Sequence, residues 1–283
     1  MCFRAPDRRA DATLGAMAVG GREMNTDHFI SSVGRALVEV GFAPPARGAC
    51  RTVVFACRSF PATAVPAAAA VLDAGEVDRA ARFRFAVDRT RYILAHAVWR
   101  VALSLCVEMA PARVPLVTTP AGQPTLPGTG FGTSLSHAKD WVAVAIASNA
   151  PVGVDIEQLP SRVCLADMMD TICTPAESGR VLALDAASRE RALLALWTHK
   201  EALLKAFGLG LGVAPADFDA GEGKPVDPPA GAAGLPPCRA LDLDLPAGVV
   251  GAVALPARID RIDQHRLAAR WDDRPAFEHF AGL

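Results

Sequence analysis

The sequence lacks the features that mark membrane, secreted and nucleic-acid-binding proteins. No apolar run approaches the roughly 20 residues needed to cross a bilayer, and the first residues do not follow the basic, apolar and small-residue order of a signal peptide. The formal net charge is −1, so there is no excess of positive charge to attract nucleic acid. We therefore expect a cytoplasmic protein that binds neither a membrane nor nucleic acid.

Cysteine pairs are absent and lysine is scarce. The seven cysteines form no CxxC pair and their number is odd, which favours reduced core thiols over disulfides or a zinc site. Only four of the 29 basic residues are lysines. Because the compact ammonium of lysine differs from the flat guanidinium of arginine, a lysine here marks a place where a compact cation is needed. Lys200 and Lys205 lie close together on one predicted helix.

A repeat at an offset of 100 residues divides the 283-residue chain. Several residues of Arg91–Leu103 recur in Arg191–Leu203, and a predicted strand pair follows each segment, Thr133–Ala147 and Arg239–Leu255. This order favours an α/β (α+β) fold with two similar halves. The predicted organisation is an N-terminal extension for which disorder is one possibility (1–45), a first half (46–150), a second half (151–256) and a tail helix (257–283).

Local patterns predict several elements inside these parts. His28–Val40 is amphipathic and predicts a helix, whereas the Ala/Pro-rich stretches Pro61–Ala70 and Pro215–Pro237 predict surface loops. Thr52–Cys57 and Trp141–Ala147 predict strands, and the second is a short, continuous apolar run typical of a buried strand.

The stretch GVDIE, Gly153–Glu157, places two carboxylates within a predicted strand. Side chains alternate across a strand, so Asp155 and Glu157 share one face with Cα atoms roughly 6.5–7 Å apart. Val154 and Ile156 face the other way. Two anions held this close repel each other unless a cation lies between them, and a divalent ion with oxygen ligands would suit the site. A half-exposed edge strand whose carboxylates meet water remains the alternative.

The stretch WTHKEALLK, Trp197–Lys205, lies in a segment from about Arg189 to Phe207 that predicts a helix ending at Gly208. Glu201 and Lys205 are four residues apart and therefore lie on one helix face. Lys200 interrupts a leucine row and needs a partner for its charge. A surface pair between Glu201 and Lys205 is the simpler interpretation, but it leaves Lys200 unexplained.

The stretch TSLSHAKD, Thr133–Asp140, contains neighbouring serine and histidine residues. In an extended chain Ser136 and His137 point to opposite faces, so they cannot act as a nucleophile and its base. No GxSxG motif is present either. These groups are better suited to holding an anion such as phosphate, and a hairpin with polar turn residues is the alternative.

Taken in order, SLSH, GVDIE and WTHKEALLK followed by GLGL resemble the three signatures of the 4′-phosphopantetheinyl transferases. The resemblance covers about Leu135–Gly212 and is to the long, monomeric type that activates carrier proteins of peptide and polyketide synthases. It implies a pseudo-dimer of two α/β halves with the active site between them. It also implies transfer of the phosphopantetheine arm of coenzyme A to a serine of an apo carrier protein, an acidic partner, with Mg²⁺ as cofactor and 3′,5′-ADP as product.

The resemblance also assigns the residues of the helix and the acidic strand. Asp155 and Glu157 match the metal-binding carboxylates, and Glu201 matches the glutamate that completes the metal site. Glu201 is also a candidate general base toward the carrier serine, and water bound to the metal is the alternative. Lys205 matches the lysine beside the pyrophosphate. Lys200 matches a motif lysine whose role is structural or phosphate-orienting.

The remaining matches concern the phosphates of coenzyme A. Ser136 and His137 match the pair near the coenzyme's phosphates, with His137 at the 3′-phosphate. Arg79 and Arg91 match 3′-phosphate contacts, through helix spacing alone. Gln123 departs from the family because many relatives have GKP where this chain has GQP, which removes a positive charge.

Two other functions remain open from the sequence. One is a non-catalytic module that binds coenzyme A or carrier proteins, although binding alone does not require three carboxylates around a diphosphate. The other is a phosphoanhydride hydrolase, although the sequence lacks a dense glutamate motif that would activate water.

Overall fold

A computed structural model of the protein describes residues 24–161, 164–221 and 223–267 and shows an α+β fold. The helices are α1 (Thr26–Glu39), α2 (Ala64–Ala69), α3 (Ala74–Ala81), α4 (Ala86–Val107), α5 (Met169–Ile172), α6 (Pro175–Leu182) and α7 (Ala186–Phe207). The strands are β1 (Ala49–Ala56), β2 (Val117–Thr118), β3 (Pro124–Thr125), β4 (Phe131–Ala138), β5 (Trp141–Ser148), β6 (Gly153–Gln158), β7 (Cys238–Asp242), β8 (Val249–Pro256) and β9 (Arg261–Leu267). None of the helices in these ranges has the length and apolar character needed to span a membrane.

The first sheet has four strands in the order β4-β5-β1-β9. β4 and β5 form an antiparallel hairpin in which Ser136 is opposite Ala143, and the turn between them places Lys139 at a positive φ of 50°. β1 pairs antiparallel with β5 and parallel with β9. Every residue of β5 after Trp141 is buried, which confirms the predicted buried strand.

The second sheet has three antiparallel strands in the order β6-β8-β7. Asp155 of β6 is opposite Ala252 of β8. Val154 and Ile156 are buried in an apolar core that also contains Val54 of the first sheet, so the two sheets share one interior. The predicted strand at GVDIE is confirmed, and alternation sends its carboxylates to the face opposite this core.

Two long helices cover the sheets, and α7 begins and ends where its sequence dictates. The side chain of Asp185 accepts hydrogen bonds from two backbone amides of the first turn, as an N-cap residue does. Gly208 ends the helix at a φ of 71°, a left-handed conformation that glycine adopts without steric cost. The predicted helix and its stop at Gly208 are therefore confirmed.

Two buried cations, Arg100 and Lys200, each contact a capping-box glutamate. Glu76 and Glu177 each occupy the third position of a short helix, α3 and α6, and each closes a capping box. Arg100 of α4 donates to Glu76 and to the carbonyl oxygens of Pro111 and Val114. Lys200 of α7 makes the corresponding set of contacts with Glu177, Pro215 and Phe218.

Three segments differ from the sequence predictions. The part of the N-terminal extension that the structure describes forms α1, whose Phe29, Val33 and Leu37 are completely buried; the amphipathic helix was predicted, and disorder was wrong for residues 26–39. α2 lies within the predicted loop Pro61–Ala70 and buries three alanines. Residues 261–267 of the predicted tail helix form β9, because they complete an edge of the first sheet. Residues 1–23 and 268–283 lie outside the described residues.

Candidate functional site

A glycine without room for a side chain brings α7 directly onto β6. A Cβ atom on Gly153 would lie 2.0 Å from the carbonyl oxygen of Ala202 and 2.6 Å from the amide nitrogen of Ala206. Contacts this short are not possible for real Cβ atoms, so only glycine allows the helix backbone to approach the strand this closely. The approach places Glu201 and Lys205 of α7 beside Asp155, two residues beyond Gly153.

Asp155 is buried, with 6% of its surface exposed, and two donors meet at one of its oxygens. Lys205 Nζ lies 2.6 Å from Oδ1 and also donates to the carbonyl oxygen of Val154. The hydroxyl of Ser136 donates to the same Oδ1 over 2.8 Å. The second oxygen, Oδ2, is buried and has no hydrogen-bond partner in the described part of the chain. The contacts thus hold Asp155 in one orientation and leave Oδ2 without a hydrogen-bond partner among the described residues.

Glu201 faces a similar environment. Burial raises its pKa, and so do the negative charges of Asp155 and Glu157, whereas the positive charge of Lys205 opposes the shift. The negative charges of Asp155 and Glu157 therefore both act on the carboxylate of Glu201. Oε1 of Glu201 is a second buried oxygen without a hydrogen-bond partner among the described residues. A buried carboxylate oxygen without a partner is costly, so both oxygens indicate a place for a cation or a donor.

The side chains do not form a ready metal cluster. Within residues 24–161, 164–221 and 223–267, no three histidine, cysteine, aspartate or glutamate side chains are grouped as ligands of one ion. Glu157 lines a different cavity from Glu201. The three predicted carboxylates are therefore not placed in ligand geometry within the described residues.

Ser136 and His137 point to opposite faces of β4, as predicted. Ser136 is buried against Asp155, so its hydroxyl is engaged by the protein and not directed at a cavity. His137 lines the larger cavity beside Glu157. Desolvation lowers the pKa of His137, and the positive charge of Lys205 lowers it further, with Asp155 acting in the opposite direction.

Two cavities flank the acidic residues. The larger, of about 510 Å³, is lined by α4, β4, β6 and α7, and its wall includes Arg91, Tyr92, His137, Glu157 and Trp197. The smaller, of about 220 Å³, is lined by Gln123, Ser134, Glu201, Lys205 and Gly208. The walls of both cavities bring together residues that are distant in the chain and include chargeable groups, as ligand sites do.

The two predicted arginines are placed differently. Arg91 lines the larger cavity, but its guanidinium pairs with Asp140 at 2.8 Å and with Asp88 at 3.2 Å. Arg79 is exposed, and its guanidinium lies 5.8 Å from the ring centre of Tyr92, which itself lines the larger cavity. Arg79 therefore lies beside a wall residue of the larger cavity and forms no ion pair with a described carboxylate, whereas the charge of Arg91 is partly neutralised by Asp88 and Asp140.

Lys200 does not reach either cavity, which corrects its predicted coenzyme contact. It is completely buried, and its ammonium lies 2.6–2.7 Å from Glu177 Oε2 and from the carbonyl oxygens of Pro215 and Phe218. An ammonium has three donors, so these bonds leave none for a phosphate. The structural role, which the sequence left open, is the one that the contacts support.

Sequence reasoning missed three contributors. The hydroxyl of Ser134 accepts a hydrogen bond from the backbone amide of Val154 and has no chemical role of its own. The sequence signal for this contact was its spacing of two residues from Ser136. Glu177 was hidden in a short helix, although the pattern TPAE is a capping-box signature. Gln123 donates to the carbonyl oxygen of Lys205 at the end of α7, a contact that nothing in the sequence indicates.

Comparison with known proteins bears on this site. Residues 151–231, which carry β6, α7 and the acidic residues, match the family model of the 4′-phosphopantetheinyl transferase superfamily. A phosphopantetheinyl transferase of Thraustochytrium sp. is 35% identical over 153 residues, 48% of this chain and 52% of that protein. The 4′-phosphopantetheinyl transferase psf-1 of Bacillus pumilus is 30% identical over 143 residues, 50% and 60% of the two chains.

A third relative shows the same extent of similarity. The 4′-phosphopantetheinyl transferase HetI of Nostoc sp. is 29% identical over 148 residues, 50% of this chain and 62% of that protein. The matched part of the chain thus spans between half and two thirds of the length of these relatives. The matches confirm the resemblance that the three sequence motifs predicted.

Proposed function

We propose, from the likeness to the 4′-phosphopantetheinyl transferase superfamily and from the geometry of the acidic site, that the protein is such a transferase. It moves the 4′-phosphopantetheine group of coenzyme A to a serine of an apo carrier protein and releases 3′,5′-ADP. The observation that carries the proposal is a pair of buried carboxylate oxygens near Lys205, Asp155 Oδ2 and Glu201 Oε1, that have no hydrogen-bond partner in the described part of the chain.

The donor chemistry of the site suits a magnesium ion, although the three carboxylates are not grouped as ligands of one ion within the described residues. Mg²⁺ prefers carboxylate oxygens and retains part of its water shell, and Asp155, Glu157 and Glu201 would hold it. When bound, the ion supplies positive charge against the diphosphate of the coenzyme. Two buried oxygens without a hydrogen-bond partner in the described part of the chain, and a glutamate whose pKa is raised by burial and then by neighbouring carboxylates, are what a site that receives a cation should show.

The remaining residues divide between binding and proton transfer. Lys205 would stabilise negative charge as it grows on the leaving phosphate, and its bond to Asp155 already fixes its ammonium at the site. A serine hydroxyl is a weak nucleophile and needs a base near it. Glu201 is the proposed acceptor of that proton, because burial and then neighbouring carboxylates raise its pKa and make its carboxylate a stronger base. Water bound to the metal is the alternative base, since a bound cation would lower the pKa of Glu201 again.

The coenzyme would occupy the larger cavity, where His137 and the ring of Tyr92 face the acidic residues from the first half. Arg79, beside Tyr92, is the proposed partner of the 3′-phosphate, since no described carboxylate forms an ion pair with it. Arg91 would contribute less, because Asp88 and Asp140 already neutralise it. We do not propose a contact between Ser136 and the coenzyme, because the hydroxyl of Ser136 donates its hydrogen bond to Asp155.

Duplication of an ancestral half is part of the same proposal. The matched pairs Arg100–Glu76 and Lys200–Glu177 support a pseudo-dimer, since each links a long helix to the capping box of a short one. The boundary would fall near Pro151. We further propose the long, monomeric, cytoplasmic type of this enzyme, with an acidic carrier protein as acceptor.

The test is mass spectrometry of apo carrier proteins after incubation with the purified protein, coenzyme A and Mg²⁺. The expected result is a mass increase of one phosphopantetheine group, abolished by chelation and by Asp155→Asn or Glu201→Gln. Glu39→Gln, on the exposed side of α1, is the matched control and should retain activity. If several carriers show no mass increase while coenzyme A binds tightly without metal, the protein is a binding module and the proposal is wrong.

A further inference from the structure

The two sheets meet along strand edges that do not pair through their backbones. β4 is an edge strand of the first sheet and β6 is an edge strand of the second. The outer edge of β6 carries the amides of Val154 and Ile156, both in residues that are almost completely buried. Buried amides need acceptors, and an unpaired edge normally provides none.

Serine hydroxyls supply these acceptors. Ser134 Oγ accepts from the amide of Val154 over 3.1 Å, and Ser136 Oγ accepts from the amide of Ile156 over 3.3 Å. Both serines are buried, with 3% and 6% of their surface exposed. Residues two apart on a strand project to the same face, so the S-x-S spacing of β4 matches the spacing of the two amides on β6.

We infer that Ser134 and Ser136 form a serine seam that sets the position of β6 against β4 and thereby positions Asp155. Ser136 adds a second contact, because its own proton goes to Asp155 Oδ1. That bond, together with Lys205 on the same oxygen, determines which carboxylate oxygen stays open. The two serines are thus positioning residues and do not themselves contact a substrate.

The seam assigns Ser136 a role different from the coenzyme contact that the sequence resemblance implies. If Ser136 served the coenzyme, its removal would weaken coenzyme binding and leave the ligand-free protein unchanged. If it belongs to the seam, its removal exposes the amide of Ile156 to exchange before any ligand is present. Amide hydrogen exchange rates of the ligand-free, full-length protein, monitored by NMR, distinguish a coenzyme contact from a role in the seam.

The expected result is local. In Ser134→Ala the amide of Val154, and in Ser136→Ala the amide of Ile156, should exchange at least about tenfold faster, because each loses its acceptor. Amides of β6 that pair with β8 should keep their rates. Ser134→Thr and Ser136→Thr retain a hydroxyl and should keep the slow exchange, so the inference is testable even if an alanine variant does not fold.

Ser148→Ala is the matched control. Ser148 is also a buried strand serine, but its hydroxyl accepts from the side chain of Asn149. Wild-type exchange at Val154 and Ile156 in the two alanine variants would overturn the inference. Equal acceleration in Ser148→Ala would do so as well, because it would reflect general loosening.

The effect on the site is a second measurement, and it rests on the proposed function. Loss of a group that orients a metal ligand commonly lowers metal affinity by about 10–100-fold, so Ser136→Ala should bind Mg²⁺ at least about tenfold more weakly in calorimetry. Unchanged Mg²⁺ affinity would refute the positioning of Asp155. If wild-type protein binds no Mg²⁺, the proposed metal site fails, whereas the exchange result still decides the seam.

Discussion

Replacement of Lys200 by methionine tests whether this motif lysine is structural. Methionine has a similar length and no charge, so the substitution removes the ammonium and leaves Glu177 buried. The side chains of Lys200 and Glu177 are 0% and 1% exposed, which means that water cannot replace the lost partner. The carbonyl oxygens of Pro215 and Phe218 lose their donor as well.

The size of the effect follows from this burial. Removal of one partner of a buried ion pair costs about 3–5 kcal/mol, a large fraction of the about 5–15 kcal/mol that stabilises a typical domain. Lys200→Met should therefore lower the free energy of unfolding by about 3–5 kcal/mol. The double variant Lys200→Met/Glu177→Gln should recover part of the loss, because it no longer buries an unpaired charge. Glu177 keeps its backbone donors in the single variant, so the protein should still fold.

Urea denaturation followed by circular dichroism measures these differences, and calorimetry with coenzyme A completes the test. Lys224→Met is the control, since Lys224 forms an exposed pair with Asp219 and should cost less than about 1 kcal/mol. The folded double variant should bind coenzyme A as the wild type does. The reasoning is refuted if Lys200→Met keeps nearly full stability while its affinity for the coenzyme falls.

Three further outcomes are expected. Gly153→Ala should lower the stability measured in thermal unfolding by at least about 1–3 kcal/mol, because α7 must move away from β6. Gly179→Ala is the control and should raise the stability, since no atom lies within 4 Å of the added Cβ. Equal effects of the two substitutions would contradict the close approach of α7 to β6. Burial alone would raise the pKa of Glu76, but His96 and Arg100 lower it overall, so Glu76 stabilises the fold above about pH 4 and loses this effect as the pH falls through its lowered pKa. Denaturation at several pH values should thus show a smaller acid-induced loss for Glu76→Gln than for wild type. Gln123→Ala should cost about 1 kcal/mol, because the end of α7 loses a donor; unchanged denaturation midpoints would show that this contact is unimportant.

Local pattern in the sequence was sufficient to predict the elements that carry the site. Alternation predicted β6, composition and Gly208 predicted α7, and the apolar run at 141–147 predicted β5. Each of these signals is local, since it depends on the period of the side chains and on conformational preferences. The grouping of Asp155, Glu201 and Lys205 followed from the family resemblance, because no local rule brings residues 46 to 50 positions apart together.

Long-range contacts account for what the sequence did not reveal. β9 is a strand because β1, more than 200 residues earlier, offers it an edge. Lys200 is structural because a glutamate from α6 and two loop carbonyls converge on it. The hydroxyl of Ser136 does not face the cavity because it accepts a hydrogen bond from the outer amide of Ile156 on β6. Each outcome depends on the three-dimensional arrangement of segments that are distant in the chain, so periodicity could not predict it.

The position of β9 has a consequence for any attempt to divide the protein. The chain leaves the first sheet after β5, builds the second sheet, and then returns to lie parallel to β1 from Ala49↔Arg261 to Phe55↔Leu267. A cut near residue 150 would therefore produce an N-terminal fragment that lacks the edge strand β9, so that one edge of the apolar β1 would be unpaired. Such a fragment would pair with other copies of itself. An engineered split that keeps the first unit intact must carry residues 261–267 along with it, for example as a fused segment.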